Sequence, residues 1–242
     1  MDVLGIIPAR YKSTRYPGKP LVPILGKPLV IHVAEKAVAA LGKENVVIAT
    51  EDKRIYDEVE KWGYKGIMTT DKPLTGTDRL WEVAQQIKAD YYINIQGDEP
   101  MVAPSDIKKV LEARIENPDR IINGYIQISE EEDPESVNIP KVIFDENERM
   151  IYMSRRALPG SKSGNKPNKY YKQVCIYAFN FEELKAFGER KEKTWLESYE
   201  DIEILRFLEM GFSIKMVEMS IASLAVDIPE DVQRVENAMN KI

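Results

Sequence analysis

The first half of the chain alternates short apolar runs with longer segments in which apolar residues recur every three or four positions. The apolar runs predict buried strands at residues 3–7, 45–50, 65–68 and 91–95. The periodic segments predict helices at residues 29–41, 52–63, 77–88 and 106–116. Thr77 or Asp78 is the expected cap of the third helix, and Ser105 that of the fourth. This alternation predicts an α/β fold with a doubly wound, mainly parallel sheet and helices on both faces.

The second half of the chain follows a less regular pattern. Its apolar runs predict strands at residues 121–128, 141–144, 150–154, 171–179 and 213–219. Helices are expected from residue 180 to about 188, at 199–210 and at 230–241. Glycines, serines and prolines predict a flexible loop at 158–168. With neither a repeat nor a linker, residues 1–242 are expected to form one domain with an embellished C-terminal half.

Composition narrows the classes of protein that fit this pattern. A formal net charge of −6 argues against a nucleic-acid binder, which would need a broad basic surface. Cys175 is the only cysteine, so we expect a buried, inert thiol and a cytoplasmic location. His32, the only histidine, is expected to pack on a helix, and a histidine-based triad is excluded. Neither a signal peptide nor a membrane span is expected, since no apolar run approaches ~20 residues.

The first predicted strand ends in a loop that concentrates positive charge. This N-terminal loop (residues 8–20) carries Arg10, Lys12, Arg15 and Lys19 beside Ser13. A loop at the carboxyl end of a strand is where an open α/β sheet places a ligand, and guanidinium and ammonium groups suit phosphate oxygens. The segment therefore predicts a phosphate site, although a solvated basic loop would show the same charges. It matches neither the phosphate loop of ATPases nor the dinucleotide fingerprint.

Acidic residues follow two further strand-like runs. In the carboxylate loop (residues 96–100), Asp98 comes directly after the strand at 91–95, as a magnesium ligand near the cationic loop would. The alternative is an acidic turn in which Asp98 caps a helix. In the C-terminal loop (residues 224–231), Asp227 precedes a proline at a helix start, which by itself indicates an N-cap. The threonine loop (residues 75–79) offers glycine and small polar side chains that would allow a close backbone approach, although taken alone they indicate only a helix cap.

Three of these segments also resemble the signatures of one family. Ile-Pro-Ala-Arg-Tyr-x-Ser-x-Arg-x-Pro-Gly-Lys-Pro-Leu begins at residue 7, Gln-Gly-Asp-Glu-Pro at residue 96, and Val-Asp-Ile-Pro-Glu-Asp-Val at residue 226. In that order they resemble the 3-deoxy-manno-octulosonate (Kdo) cytidylyltransferases, or CMP-Kdo synthetases. The resemblance covers residues 4–239 and implies a nucleotide-diphospho-sugar transferase-like fold. It further implies CMP transfer from CTP to the anomeric hydroxyl of a 3-deoxy-2-ulosonic acid, release of pyrophosphate, Mg²⁺ dependence, a homodimer and a step of lipopolysaccharide biosynthesis.

The resemblance assigns roles to individual residues of this chain. The catalytic residues are expected to be Arg10, Lys19, Asp98 and Asp227, of which Asp98 and Asp227 would bind Mg²⁺. The nucleotide would be bound by Pro8, Ala9, Arg10, Ser13, Arg15, Lys19, Thr75, Gly76, Thr77, Arg79 and Asp98. The sugar would be bound by Gln96, Lys141, Arg155, Gln173, Tyr177, Glu200 and Glu203. For Glu200 and Glu203, a solvated helix face is the alternative to sugar binding.

Two positions depart from the family pattern on the expected sugar side. Gln173 stands where the family has histidine, and Ile204 where it has glutamine. Losing a hydrogen-bonding side chain would leave a sugar hydroxyl unpaired, which would weaken binding of that sugar by ~1–3 kcal/mol. Kdo is the leading acceptor, and 8-amino-Kdo or another ulosonic or nonulosonic acid is the alternative. A CTP-binding regulatory module is the alternative from another class. A sugar-1-phosphate nucleotidyltransferase is disfavoured, because no Gly-x-Gly-Thr-Arg loop follows the first strand.

Overall fold

The computed structural model describes residues 1–13, 15–165, 167–220 and 224–241. The strands are β1 (Val3–Pro8), β2 (Pro23–Ile24), β3 (Lys27–Pro28), β4 (Val46–Thr50), β5 (Gly66–Met68), β6 (Tyr91–Ile95), β7 (Ile121–Gln127), β8 (Lys141–Phe144), β9 (Met150–Ser154), β10 (Tyr171–Phe179) and β11 (Ile214–Glu218). The helices are α1 (Leu29–Leu41), α2 (Lys53–Lys61), α3 (Gly76–Gln86), α4 (Pro104–Glu116), α5 (Phe181–Glu189), α6 (Trp195–Glu200), α7 (Ile204–Glu209) and α8 (Asp231–Met239).

One twisted sheet organises the described residues, with seven strands in the order β11-β7-β10-β6-β1-β4-β5. Strand β1 pairs in parallel with β4 and β6, β4 with β5, and β7 with β11. Strand β10 runs antiparallel to both of its neighbours, β6 and β7. The hairpin of β8 and β9 joins this sheet through β10. The expected mainly parallel α/β sheet is confirmed, and β10 is its reversed member.

Helices cover both faces of the sheet, as the alternation of elements predicted. On one face, the apolar core contains Val30 of α1 and Val110 of α4 together with residues of α2. On the other face, Leu80 of α3, Leu184 of α5 and Phe207 of α7 form a second core. Successive residues of a strand point to opposite faces, so the central strands contribute to both cores. Because the helices cover the two faces, the loops at the carboxyl edge of the sheet are left free to carry the site.

The beginnings of α3 and α4 differ from the sequence expectation. Helix α3 begins at Gly76, one residue before the predicted range, because Thr75 and Asp78 form a capping box. The Asp78 N–H donates to Thr75 Oγ1 at 3.2 Å, and the Thr75 N–H donates to Asp78 Oδ2 at 2.9 Å. Neither Thr77 nor Asp78 is therefore the cap. The cap prediction for Ser105 is also wrong, since α4 begins at Pro104 and proline suits the first turn of a helix.

The helix predicted at 199–210 is wrong, because this region contains two short helices. Asp201 adopts a left-handed backbone with φ of 50° and ends α6, and α7 begins at Ile204. Thr194 and Glu197 form the capping box that starts α6. The break places Glu203 immediately before α7, at the sheet edge that carries the candidate site.

The lone histidine and the lone cysteine can be compared with their predicted environments. His32 is buried on α1, and its Nε2 lies 2.8 Å from the carbonyl oxygen of Ile24, which confirms that it packs on a helix. Cys175 is partly exposed, whereas a buried thiol was predicted, and desolvation still raises the pKa of the thiol well above the usual value. A protonated thiol is a poor nucleophile, as expected for this position. Along the described parts of the chain, none of the helices combines the length and apolar character that crossing a membrane requires.

Candidate active site

The N-terminal and carboxylate loops meet where the neighbouring parallel strands β1 and β6 end. A Cβ atom at Gly97 would lie 2.8 Å from the carbonyl oxygen of Pro8, so only glycine allows the two backbones to approach this closely. The threonine loop joins them, since a Cβ at Gly76 would lie 3.4 Å from Pro8 Cγ and 3.5 Å from Gln96 Nε2. Three segments singled out from the sequence thus converge at one edge of the sheet.

A cluster of two cations and two carboxylates lies at this edge. Lys19 Nζ is 2.7 Å from Asp98 Oδ2 and 3.6 Å from Asp227 Oδ1. Arg15 Nη2 is 3.0 Å from Asp227 Oδ1. The four side chains range from 15% exposed at Lys19 to 57% exposed at Arg15, so a ligand can reach them. Residues from the N-terminal, carboxylate and C-terminal loops are therefore brought together, as the motifs predicted.

Local backbone structure explains why these side chains converge. Gly18 has a φ of 73° and its N–H donates to the carbonyl of Tyr11 at 2.8 Å, which closes the loop and presents Lys19 from a short 3-10 helix. The N–H of Val226 donates to the carbonyl of Asp98 at 2.9 Å, which joins the C-terminal loop to the carboxylate loop. The Asp231 carboxylate accepts the N–H of Asp227 at 2.9 Å and so fixes this loop at the start of α8.

The donor set at this cluster fits Mg²⁺. Asp98 and Asp227 each bring a carboxylate to within 4 Å of the same ammonium, and both remain partly exposed. Within the described ranges, no group of three or more His, Cys, Asp or Glu side chains is arranged to hold a metal. Mg²⁺ is commonly held by one or two carboxylates and completes its shell with phosphate oxygens and water. The two aspartates are therefore suited to a metal that arrives with a phosphorylated substrate.

Other predicted nucleotide residues line the same edge. Arg10 is exposed, and its Nη1 lies 3.4 Å from the carbonyl of Leu74, next to the threonine loop. Ala9 is buried, with its N–H bonded to the carbonyl of Ala49 at 2.8 Å. Ser13 Oγ accepts the N–H of Tyr16 at 3.2 Å and so supports the turn of the N-terminal loop. Their contacts with a nucleotide stay predictions.

Arg79 occupies a different position from the other predicted nucleotide residues. It is 1% exposed, and its Nη2 lies 3.0 Å from Glu51 Oε2, behind the N-terminal loop. Sequence reasoning did not single out Glu51. A signal was present, however, because Glu51 directly follows a buried strand, and Asp98 likewise comes soon after one.

Glu203 connects the threonine and carboxylate loops. Its Oε2 accepts the N–H of Thr77 at 3.0 Å, and its Oε1 accepts a hydrogen bond from Gln96 Nε2 at 3.3 Å. Burial raises the pKa of the Glu203 carboxyl above its ordinary 4.5, although the hydrogen bond from Thr77 opposes this shift. A partly buried carboxyl with a raised pKa, among convergent polar groups, suits the binding of a hydroxyl. The solvated helix face considered for Glu203 does not describe these surroundings.

The raised pKa of Glu203 predicts how stability depends on pH. Between pH 4.5 and the raised pKa, Glu203 holds a proton in the folded state that it has released in the unfolded state. The contribution of Glu203 to the free energy of unfolding therefore falls as the pH rises. Glu203→Gln removes this loss. We therefore expect the variant's free energy of unfolding, relative to wild type, to increase with pH across this interval.

Urea unfolding at a series of pH values measures this effect. Glu131→Gln is the control, since Glu131 is an exposed carboxylate outside the site. A difference between Glu203→Gln and wild type that stays constant with pH would contradict the prediction.

The predicted sugar cations are engaged in a network with the backbone. Lys141 is buried, which lowers the pKa of its ammonium, and its Nζ donates to the carbonyls of Ser136 at 2.7 Å and Arg155 at 2.6 Å. Arg155 donates from Nη1 to the carbonyl of Val137 at 2.9 Å and from Nε to that of Glu200. The Glu200 carboxylate in turn accepts the Arg155 N–H at 2.8 Å. These groups hold the β8–β9 hairpin against α6, and their roles toward a sugar stay predictions.

Gln173 belongs to a polar network at an irregularity in β10. Its Nε2 donates to Asn123 Oδ1 at 3.0 Å and to the Tyr177 hydroxyl at 3.1 Å, beside the register shift between Val174 and Tyr177. Sequence reasoning missed Asn123, a fully buried amide in an otherwise apolar strand, and that contrast was the available signal. Ile204, by contrast, is 1% exposed and packs in the apolar core with α3 and α5. Of the two positions that depart from the family pattern, Gln173 is the one in polar surroundings.

Comparisons with known proteins test the family resemblance seen in the motifs. Residues 4–220 match the family model described as "Cytidylyltransferase". The 3-deoxy-manno-octulosonate cytidylyltransferase of Desulfatibacillum aliphaticivorans is 39% identical over 98% of each chain. The enzyme of that name from Escherichia coli is 36% identical over 97% of this chain and 94% of its own.

Solved structures give the same result. A structure of CMP:2-keto-3-deoxy-manno-octonic acid synthetase complexed with CTP superposes with a TM-score of 0.91 at 35% identity, over 100% of this chain and 99% of the other. A putative glucose-1-phosphate thymidylyltransferase from Bacillus anthracis has a TM-score of 0.71 at 19% identity, over 99% and 96%, and so shares the fold. The resemblance seen in the motifs is confirmed: this chain belongs to the family of the 3-deoxy-manno-octulosonate cytidylyltransferases.

Proposed function

We propose that this chain transfers CMP from CTP to the anomeric hydroxyl of Kdo and releases pyrophosphate. The observation that carries the proposal is the cluster in which Lys19 contacts both Asp98 and Asp227, at the sheet edge where three family motifs converge. Such a cluster provides cations for a triphosphate and carboxylates for a metal in one place. The family membership of the whole chain supports CTP and Kdo as the substrates.

The N-terminal loop would bind the triphosphate. Arg10, Arg15 and Lys19 lie on this loop, and their charges would stabilise the negative charge that develops on the leaving pyrophosphate. The backbone of Thr75 and Gly76 would reach the edge of the cytosine. When CTP binds, its phosphates would compete with the aspartates for Lys19 and Arg15.

Asp98 and Asp227 would hold Mg²⁺. Bound there, Mg²⁺ would lower the pKa of the attacking hydroxyl and offset charge on the phosphate. Lys19, which lies between the two carboxylates, would keep them in place in the free enzyme. The new bond joins the anomeric oxygen to the α-phosphorus, the bond to pyrophosphate breaks, and no covalent enzyme intermediate is needed.

The acceptor would lie beside the carboxylate loop. Gln96 and Glu203 hydrogen-bond to each other and can exchange this contact for sugar hydroxyls. Gln173 and Tyr177 would border the same space, and burial raises the pKa of the Tyr177 hydroxyl well above its usual value, so it stays a neutral donor. Arg155 would pair with the sugar carboxylate, after giving up a contact with a backbone carbonyl.

A homodimer and a cytoplasmic location complete the proposal. The dimer is supported by the family resemblance, and the location by the single cysteine, which leaves no possibility of an intrachain disulfide.

Pyrophosphate release tests the proposed reaction. With Mg²⁺ present, we expect turnover with CTP and Kdo and little with UTP, ATP or GTP. Chelation of the metal by EDTA should stop the reaction, and added Mg²⁺ should restore it. The acceptor panel includes 8-amino-Kdo and neuraminic-type acids.

Each other outcome has a distinct meaning. Turnover only with another acid would contradict Kdo as the acceptor and point to Gln173, the family histidine position, as the residue that sets specificity. Binding of CTP without turnover on any acid would contradict the transferase and favour a regulatory CTP-binding module.

A further inference from the structure

A buried ion pair lies directly behind the N-terminal loop. Arg79, on α3, is 1% exposed, and the Glu51 side chain, which follows β4, is 10% exposed. Arg79 Nη2 lies 3.0 Å from Glu51 Oε2. Burial lowers the pKa of the Arg79 guanidinium and the Glu51 carboxylate opposes this shift. Arginine nevertheless stays protonated in proteins, so the Arg79 guanidinium keeps its charge at any working pH.

Glu51 connects this pair to the backbone that carries the loop cations. Its Oε1 accepts the N–H of Tyr11 at 3.1 Å. The carbonyl of Tyr11 accepts the N–H of Gly18 at 2.8 Å, immediately before Lys19. The Arg54 guanidinium lies over the Tyr11 ring, with its Cζ 3.3 Å from the centroid of the ring. Glu51 therefore holds the first part of the loop, and through Tyr11 it also affects the part that presents Lys19.

Arg79 connects the same pair to the threonine loop. Its Nη1 donates to Thr69 Oγ1 and, at 3.3 Å, to the carbonyl of Thr70, in the segment that leads to Thr75. Arg79 itself lies in the first turn of α3, the helix that Thr75 caps. One guanidinium thus makes contact with a threonine hydroxyl, a backbone carbonyl and a carboxylate. The compact ammonium of a lysine could not span these three groups.

We propose that Arg79 and Glu51 are positioning residues that set the distance between the N-terminal loop and the threonine loop. They contact the loops from behind, and the nucleotide is bound in front. If the first loop binds the triphosphate and the second the base, as the proposed function holds, this distance determines how well CTP fits. The acceptor is assigned to other residues, of which Glu203 contacts the threonine loop through the Thr77 N–H, so its affinity should change much less than that for CTP.

A second buried ion pair provides a matched control. Arg114 Nη1 lies 3.1 Å from Glu183 Oε1, and the two side chains are 0% and 6% exposed. This pair joins α4 to α5 near the start of β7 and the end of β10, at the opposite edge of the sheet from the candidate site. Breaking it lowers stability without moving either loop.

The test compares Glu51→Gln and Arg79→Lys with Glu183→Gln. Glutamine keeps the shape of glutamate and an oxygen for the Tyr11 N–H, but it turns an NH2 group toward Arg79, so the contact with the guanidinium is lost. Calorimetry with Mg²⁺ and CTP gives the Kd for CTP, steady-state kinetics gives the KM for the acid, and thermal unfolding gives Tm. We expect the Kd for CTP to rise about ten- to a hundredfold in both variants, as for a small displacement of binding groups. The KM for the acid should change less than about twofold, and Glu183→Gln should lower Tm with the Kd for CTP unchanged.

The outcomes separate this inference from the proposed function. If the wild-type chain binds CTP and Glu51→Gln binds it with the same Kd, the inference alone is overturned. The same holds if the Kd for CTP rises as much in Glu183→Gln as in Glu51→Gln. Absence of CTP binding by the wild-type chain overturns the proposed function and this inference with it. If Arg79→Lys does not fold, Glu51→Gln decides the question, because it is nearly isosteric.

Discussion

Replacing Asp98 or Asp227 with asparagine is expected to lower kcat by at least about a hundredfold while the chain stays folded. Asparagine preserves the shape of the side chain but removes the negative charge that a metal requires. Both carboxylates are partly exposed and contact Lys19 or Arg15, so losing one of them leaves a cation that water can still reach. The loss of activity should therefore come without a comparable loss of stability.

Pyrophosphate release measures the activity of these variants, and circular dichroism with CTP binding shows whether the fold and the nucleotide site remain. Asp119→Asn is the matched control, because Asp119 is exposed and lies outside the site. Retention of more than about a tenth of the wild-type rate, a change of only ~1.4 kcal/mol, would contradict the metal assignment.

Replacing Arg206 with methionine is expected to lower the free energy of unfolding by about 3–5 kcal/mol. Arg206 is fully buried and donates from Nε to Glu197 at 2.6 Å and from Nη1 to Asp78 at 2.8 Å. Its guanidinium also lies 3.7 Å from the centre of the Phe187 ring. Methionine fills much of the same space but leaves two carboxylates without their cation in a low-dielectric interior. The uncompensated charge is the source of the large effect.

Urea unfolding measures this change in stability. Arg149→Met is the control, since Arg149 is exposed and pairs with Asp145 at 3.0 Å, and it should cost less than about 1 kcal/mol. Adding Glu197→Gln to Arg206→Met should recover part of the lost stability, because it removes one of the orphaned charges. Equal losses in the Arg206 and Arg149 variants would show that the buried pair contributes no more than a surface pair.

The nucleotide side of the site could be predicted from the sequence because its signals are local. Arg10 and Asp98 each follow a buried strand within a few residues, and parallel neighbouring strands bring such positions together at one edge. The strands of the main sheet and most helices could be predicted for the same reason, since their periodicity is contained within each segment. The two-residue strands β2 and β3 are too short to show such a pattern and were not predicted. The convergence of Lys19 with Asp227 required the family resemblance, because 208 positions of sequence give no local indication that these residues meet.

The elements that the sequence did not predict depend on contacts between distant residues. The break at Asp201 lies in a segment whose apolar spacing suits one continuous helix. The break is accompanied by the buried pairing of Arg206 with Glu197 and Asp78, and Asp78 is 128 positions away. Likewise, the partners of Lys141 are backbone carbonyls, which no residue pattern indicates. Tertiary contacts of this kind override local propensity.

The residues assigned to the nucleotide and those assigned to the acceptor come from different parts of the chain, and the reversed direction of β10 brings them to the same edge of the sheet. In β1 and β6 the residues at the ligand edge are the last of the strand, whereas in β10 they are the first, so the loop that precedes Gln173 leads into the site. All the residues assigned to the nucleotide lie before residue 100, and most of those assigned to the acceptor lie after residue 140. Evolution can therefore lengthen or replace the segments around β8, β9 and β10 to admit a different sugar acid, while the part of the gene that encodes the triphosphate site is inherited unchanged.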